Sequence, residues 1–184
     1  MDIRKIIREE IEQYLNFDNK KIKAVIFDFD FTLVDTTCYT PLGKYAKIHR
    51  DWSAYDKYMP LTKVYPGIKE LIQKLIDDGI LVMVVTNSKQ SVAQKTLEYH
   101  GIKYNAIRGA QGPRMPKCVR MKALLNKANV NPSEAISVGD LPTDEEQSNA
   151  ASIKFVGCTW GNNMVNGINN PLDLLKIIDD YEKN

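Results

Sequence analysis

The chain has 184 residues, 43% of them hydrophobic and 26% charged, which suffices for one folded domain with a sizeable core and excludes both a multidomain machine and a disordered chain. Its net charge of +2 comes from intermixed Lys, Arg, Asp and Glu, so the concentrated basic stripe of a nucleic-acid binder is absent. Apolar runs such as Ile80 to Val85 are too short to cross a bilayer, and the charged N-terminal start does not resemble a signal peptide; no membrane role and a cytoplasmic location are expected. Cys38, Cys118 and Cys158 are odd in number and lack a Cys-x-x-Cys spacing, which predicts reduced structural thiols, with neither a disulfide framework nor a zinc site.

In chain order, Ile3, Ile6, Ile7, Ile11, Tyr14 and Leu15 recur at helical spacing, predicting an N-terminal amphipathic helix within residues 1–20. Packing of its apolar side on the domain is the preferred expectation, with a homodimer contact as the alternative. Ile22 to Phe29 reads as a strand covered on both faces, ending in Asp28 and Asp30. A helix follows from Ile68 to Ile76, stopped by Gly79, then a buried strand from Ile80 to Val85 closing on Thr86-Asn87-Ser88. Ser88 is the expected N-cap of a helix from about Lys89 to Tyr99. Next come a weak strand near Tyr104 to Ile107, a helix from Cys118 to Ala128, and a strand from Ala135 to Val138 ending at Gly139-Asp140. A helix from Asp144 to Ala151, a strand from Lys154 to Cys158 and a helix from Leu172 to Tyr181 complete the alternation.

Alternating strands and helices predict a single α/β domain spanning residues 1–184, with a parallel sheet between two helical layers and the ligand site at the carboxyl ends of the strands. Residues 36–64 break the alternation. They form a connection of about 30 residues, against roughly 4–6 in most domains, and hold Tyr39, Tyr45, Trp52, Tyr55 and Tyr58 with Lys44, Lys47, Arg50 and Lys57. This segment is a candidate lid, or a small core of its own.

Asp28 and Asp30 stand two residues apart just past a buried strand, where packing alone rarely places carboxylates. Such a pair repels unless a cation lies nearby, which suits either a divalent-metal site or an acid/base pair. A second acidic group, Asp140 and Asp144, follows another strand, and oxygen ligands from two strand ends fit magnesium best. Thr86 offers a hydroxyl and nearby amides to phosphate oxygens, and Lys117 a point charge at a helix start.

Asp28-x-Asp30-x-Thr32, Thr86, Lys117 and Gly139-Asp140-x-x-x-Asp144 together resemble the four motifs of haloacid dehalogenase-like phosphatases, over Ile22 to Trp160, and look closest to phosphoglycolate phosphatase-like members. The resemblance implies a Rossmann-like fold with a small cap insert, a small phosphorylated substrate, and Mg2+ held by Asp28, the backbone carbonyl of Asp30, Asp140 and Asp144. It also implies Asp28 as nucleophile, Asp30 as general acid/base, and Thr86, Asn87 and Lys117 as phosphate ligands. Two departures stand out. Phe31 occupies a position that is often Gly, and the usual Lys-Pro order is reversed at Pro116-Lys117, which leaves Arg114, Arg120 and Lys122 as alternatives to Lys117. A mutase of the same superfamily and a receiver-like phosphoacceptor module are the competing readings. The insert is shorter than the helical caps of many relatives, which predicts a partly covered site.

Overall fold

The computed structural model describes residues 3–49, 51–110, 115–162 and 164–183. The strands are β1 Ala24–Phe27, β2 Val34–Asp35, β3 Lys63–Val64, β4 Leu81–Lys89, β5 Ala106–Ala110, β6 Ala135–Gly139 and β7 Lys154–Gly157. The helices are α1 Ile3–Asn19, α2 Thr40–His49, α3 Ser53–Tyr58, α4 Ile68–Asp77, α5 Gln90–Tyr99, α6 Lys117–Lys127, α7 Pro142–Ala150 and α8 Asp173–Lys183.

Five strands form one parallel sheet in the order β5-β4-β1-β6-β7, and β1 pairs with β4 on one side and β6 on the other. The period of two along each strand divides the core. Val25, Phe27, Val82, Val84, Ile136 and Val138 face α4, α5 and α8, where they pack with Leu71, Leu75, Leu97 and Leu174. Ala24, Ile26, Met83 and Val85 face the opposite way, onto Met121, Leu124 and Leu125 of α6. The sheet is therefore the middle of three layers, as the alternation predicts, and its central strands are apolar on both faces.

Three expectations are corrected. The α1 stripe does not pack on the domain: Ile7, Ile11, Tyr14 and Leu15 are each at least half exposed, and the helix meets the core through Phe17 near its end. The helix period identifies an apolar stripe without saying what covers it. Ser88 is not an N-cap. β4 runs on through Thr86-Asn87-Ser88 with a register shift between Val85 and Lys89, so Lys89 takes the cap position without a side-chain cap bond. The third strand of the alternation lies later than Tyr104 to Ile107, at Ala106–Ala110.

The described part of residues 36–64 is mostly helical. β2 and β3 pair antiparallel at the root of the segment, with Val34 opposite Val64, and α2 and α3 lie between them. Tyr39, Ala46 and Tyr55 form a small buried cluster with Val92 of α5, and Tyr39 Oη pairs with Thr96 Oγ1 at 2.9 Å. Lys95 reaches Asp56 at 2.8 Å, and Thr62 Oγ1 lies 2.7 Å from His100 Nε2, so three links fasten the insert to α5. Helices this short draw their stability from such packing, which leaves little periodicity to read in advance. The side chains of Tyr45 and Lys47, and residues Arg50 and Arg114, lie outside what is described. No helix among the described residues is long and apolar enough to cross a membrane.

Candidate active site

The three central strands deliver the polar residues to one edge. Asp28 follows β1, Thr86 lies in the last turn of β4's path, and Asp140 follows β6, so their positions result from the β4-β1-β6 adjacency. Asp144 comes from the first turn of α7, where its Oδ2 accepts the Leu141 N–H at 3.2 Å as a helix cap. Its other oxygen, Oδ1, accepts from Lys117 Nζ at 2.7 Å, so one carboxylate both caps a helix and serves the site.

Lys117 also reaches Asp28 Oδ1 at 2.5 Å, and the three side chains are almost fully buried. Lys117, expected from its place in the chain despite the reversed Pro116-Lys117 order, is thus the cation that meets Asp28 and Asp144. Burial alone would lower its pKa, but Asp28 and Asp144 outweigh this and hold it above the ordinary lysine value. Asp28 goes the other way. Burial, opposed by Lys117 and reinforced by Asp144 and Asp30, pushes its carboxyl up to about 7.

Asp140 is closed off from solvent and is held by the Thr32 hydroxyl at 3.0 Å and the Asn162 N–H at 3.1 Å. Two glycines permit this packing. A Cβ at Gly139 would lie 2.6 Å from Cβ of Asp144, and one at Gly161 would lie 2.4 Å from Cβ of Asp140. Ligand atoms of Asp28, Asp140 and Asp144 all fall within 4.8 Å of one another. Three buried carboxylates against one ammonium leave the cluster short of positive charge, and an all-oxygen donor set suits a hard divalent cation. The residues present thus fit a metal of the magnesium type.

Asp30 is not part of that cluster. Its side chain turns to the insert and β4, where Oδ1 accepts from Thr36 at 2.8 Å, and Oδ2 accepts from Ser88 at 2.6 Å and Thr86 at 3.2 Å. Two acids separated by one residue therefore occupy different surroundings, one ionic and buried, the other ringed by hydroxyls.

Three residues of this arrangement were not singled out beforehand. Thr36 was not read and Ser88 was read only as a helix cap, because a lone hydroxyl has no spacing signature of its own. Arg120, raised only as a substitute for Lys117, has a different place: it donates through Nη1 to the Thr86 carbonyl and through Nη2 to Asn87 Oδ1 at 2.6 Å. Its Nε is buried with no hydrogen-bond partner among the described residues. Arg120 thereby braces the Thr86-Asn87 turn from behind.

A family model described as haloacid dehalogenase-like hydrolase matches residues 38–158. This chain belongs to the haloacid dehalogenase-like hydrolases. The matched stretch contains Thr86, Lys117, Asp140 and Asp144, while Asp28 and Asp30 precede it. Among curated relatives, the phosphoglycolate phosphatase of Vibrio parahaemolyticus is 33% identical over 107 residues, 56% of this chain and 47% of the relative. That of Pseudomonas putida is 28% identical over 115 residues, 60% and 42% respectively. The chain spans about half the length of the curated relatives it matches. A solved haloacid dehalogenase-like family hydrolase from Streptococcus pneumoniae superposes with a TM-score of 0.73 at 19% identity, covering 85% of this chain and 98% of that one, which supports the shared three-layer fold.

Proposed function

We propose that this haloacid dehalogenase-like chain is a magnesium-dependent phosphohydrolase acting on a small phosphomonoester. The observation that carries the reading is the division of labour between Asp28 and Asp30. Asp28 faces the acidic cluster and Lys117, and Asp30 faces the hydroxyls of Thr36, Thr86 and Ser88. The nucleophile must be an anion, which for the buried Asp28 calls on Lys117 and a bound cation. The acid/base must keep its side chain clear of that cation, as Asp30 does, with hydroxyls that can turn to accept as well as donate.

In the first step an Asp28 oxygen bonds to phosphorus as the bond to the leaving oxygen breaks, and Asp30 gives that oxygen its proton. In the second, Asp30 takes a proton from water as the water oxygen bonds to phosphorus, which releases Asp28 and inorganic phosphate. Thr86, Asn87 and Lys117 hold the phosphoryl oxygens, and the Arg120 brace keeps the Thr86-Asn87 turn in place while charge shifts across them. Magnesium would be held by the side chains of Asp28, Asp140 and Asp144 and by the carbonyl of Asp30. There it would offset the charge of the phosphoryl group and of the carboxylates. The insert at residues 36–64 acts as the lid, since it supplies Thr36 to Asp30. Its polar and aromatic residues meet the same edge of the sheet.

Phosphate release from a panel of phosphomonoesters, measured with and without Mg2+ and alongside Asp28→Asn, tests this. Metal-dependent turnover that Asp28→Asn abolishes is expected. Wild-type protein without metal-dependent release, or Asp28→Asn with full activity, would overturn it.

A further inference from the structure

Between the insert and the sheet edge lies a cavity of about 210 Å³, with Asp30 in its wall. Phe31, Tyr39, Trp52 and Tyr55 supply four aromatic rings to its lining, and Lys89 supplies its cation. We propose that this cavity is the leaving-group pocket and that it selects phosphomonoesters whose leaving alcohol carries a single planar ring. The proposal rests on the phosphohydrolase reading above, because Asp30, assigned there to protonate the leaving oxygen, stands in the wall of this cavity.

Size sets the first limit. A cavity of about 150 Å³ accepts benzene, whereas drug-sized ligands occupy roughly 300–1,000 Å³. The space at Asp30 matches one substituted six-membered ring and lies below the range of larger ligands.

The walls set the second. Trp52 and Tyr55 lie with ring centroids 5.6 Å apart and planes 31° from parallel, and Tyr39 meets Tyr55 at 4.8 Å. Lys89 Nζ sits 4.7 Å over the Trp52 ring, so its charge is held against one aromatic face of the wall. A short alcohol would reach the polar groups of the wall but leave these ring faces uncovered. A planar ring gains contact with two or more walls, each comparable to an aromatic side-chain pair, which together favour it by roughly tenfold to a hundredfold.

Phe31 adds an independent observation. Its φ is 59°, in the left-handed region where a bulky residue is an outlier, and its N–H is tied to the Val34 carbonyl at 2.8 Å. A strained backbone conformation that glycine would adopt freely is kept here by a bulky residue that belongs to the cavity lining, directly after the residue assigned as acid/base. Phe31 is on this account a specificity residue.

Benzyl phosphate and glycerol 3-phosphate both release alcohols, so their comparison isolates the pocket from leaving-group chemistry. The expected result is a kcat/KM at least tenfold higher for benzyl phosphate. Gly43, on α2, lines the same cavity, and a Cβ there would meet only Tyr55 Oη, at 3.6 Å, so Gly43→Leu fills the space without disturbing the backbone. That variant should lose at least tenfold on benzyl phosphate and much less on glycerol 3-phosphate. Equal rates on the two esters, or a preference for glycerol 3-phosphate, would overturn the pocket assignment and leave hydrolysis standing. If no ester is hydrolysed, the phosphohydrolase reading fails, and the pocket is then decided by binding. Benzylphosphonate, followed by the change in Trp52 fluorescence that Trp52→Phe removes, should bind at least tenfold more tightly than methylphosphonate. Equal binding would overturn it.

Discussion

Ser88 Oγ donates to Asp30 Oδ2 across 2.6 Å, tying the end of β4 to the residue assigned to proton transfer. Ser88→Ala leaves Asp30 with Thr36 and a longer bond from Thr86, so its carboxyl is less firmly aimed. The expected result is a kcat lower by roughly tenfold with KM little changed, since general acid/base catalysis contributes about 10²–10⁴ and orientation is part of that. Steady-state kinetics on any accepted ester, with a melting curve to show an unchanged fold, would check it.

Removing the ammonium of Lys117 leaves Asp28 and Asp144 buried side by side. Lys117→Met should destabilise the metal-free protein by about 3 kcal/mol, the lower end for breaking a buried ion pair. In a chain of this length that is a fall in Tm of roughly 6–12 °C. Calorimetry of wild type and variant after chelation would measure it, and added Mg2+ should recover part of the loss.

Magnesium should itself raise Tm. At a concentration 100 times the dissociation constant it adds about 2.7 kcal/mol, or roughly 5–10 °C. Asp140→Asn should abolish the rise. Thr32→Val, which removes the 3.0 Å bond to Asp140 while keeping the volume, should weaken metal affinity by about 10–100-fold. A Mg2+ titration followed by thermal shift separates the three proteins, and identical curves would count against this site.

The link between the insert and the end of α5 carries its own pH dependence. Thr62 Oγ1 donates to the Met59 carbonyl at 2.6 Å and therefore accepts from His100 Nε2, which assigns the imidazole tautomer. Burial, then Lys69, lowers the His100 pKa below its ordinary value. Near pH 6.5 the unfolded chain thus binds more protons than the native one, so stability is complete above that pH and is lost as pH falls through the lowered value. His100→Gln should flatten the decline in Tm between pH 7.5 and 5 by roughly 1–2 °C, a small effect because the ring is partly solvated and screened. Parallel melts across that range would show it, and an equally steep decline in the variant would contradict it.

Much of this arrangement can be read before folding, and the exceptions share a cause. β1 and β6 are legible because strands buried on both faces are continuous apolar runs, and Asp28, Asp30 and Asp140 stand out because carboxylates at such strand ends have no packing role. Lys117 was placed by its order in the chain, although its partners become evident only when α6 and α7 meet. Thr36, Ser88 and Arg120 depend on contacts between distant segments and on no period. The same holds for α2 and α3, which persist by leaning on α5. The α1 stripe shows the converse, since a clear period named an apolar face that the domain leaves exposed.

The adjacency of β1 and β6 has a consequence for biosynthesis. Thr32 and Asp140 are bonded but lie 108 residues apart in the chain, and β1 has no neighbour on that side until β6 arrives. Contacts of such long sequence separation require the closure of a large loop and form late in folding. A nascent chain that has released only the strands through β5 can assemble half a sheet, but Asp28 then has neither Asp140 nor Asp144 beside it. Competence to bind a cation would therefore appear only once β6 and α7 have left the ribosome and docked beside β1.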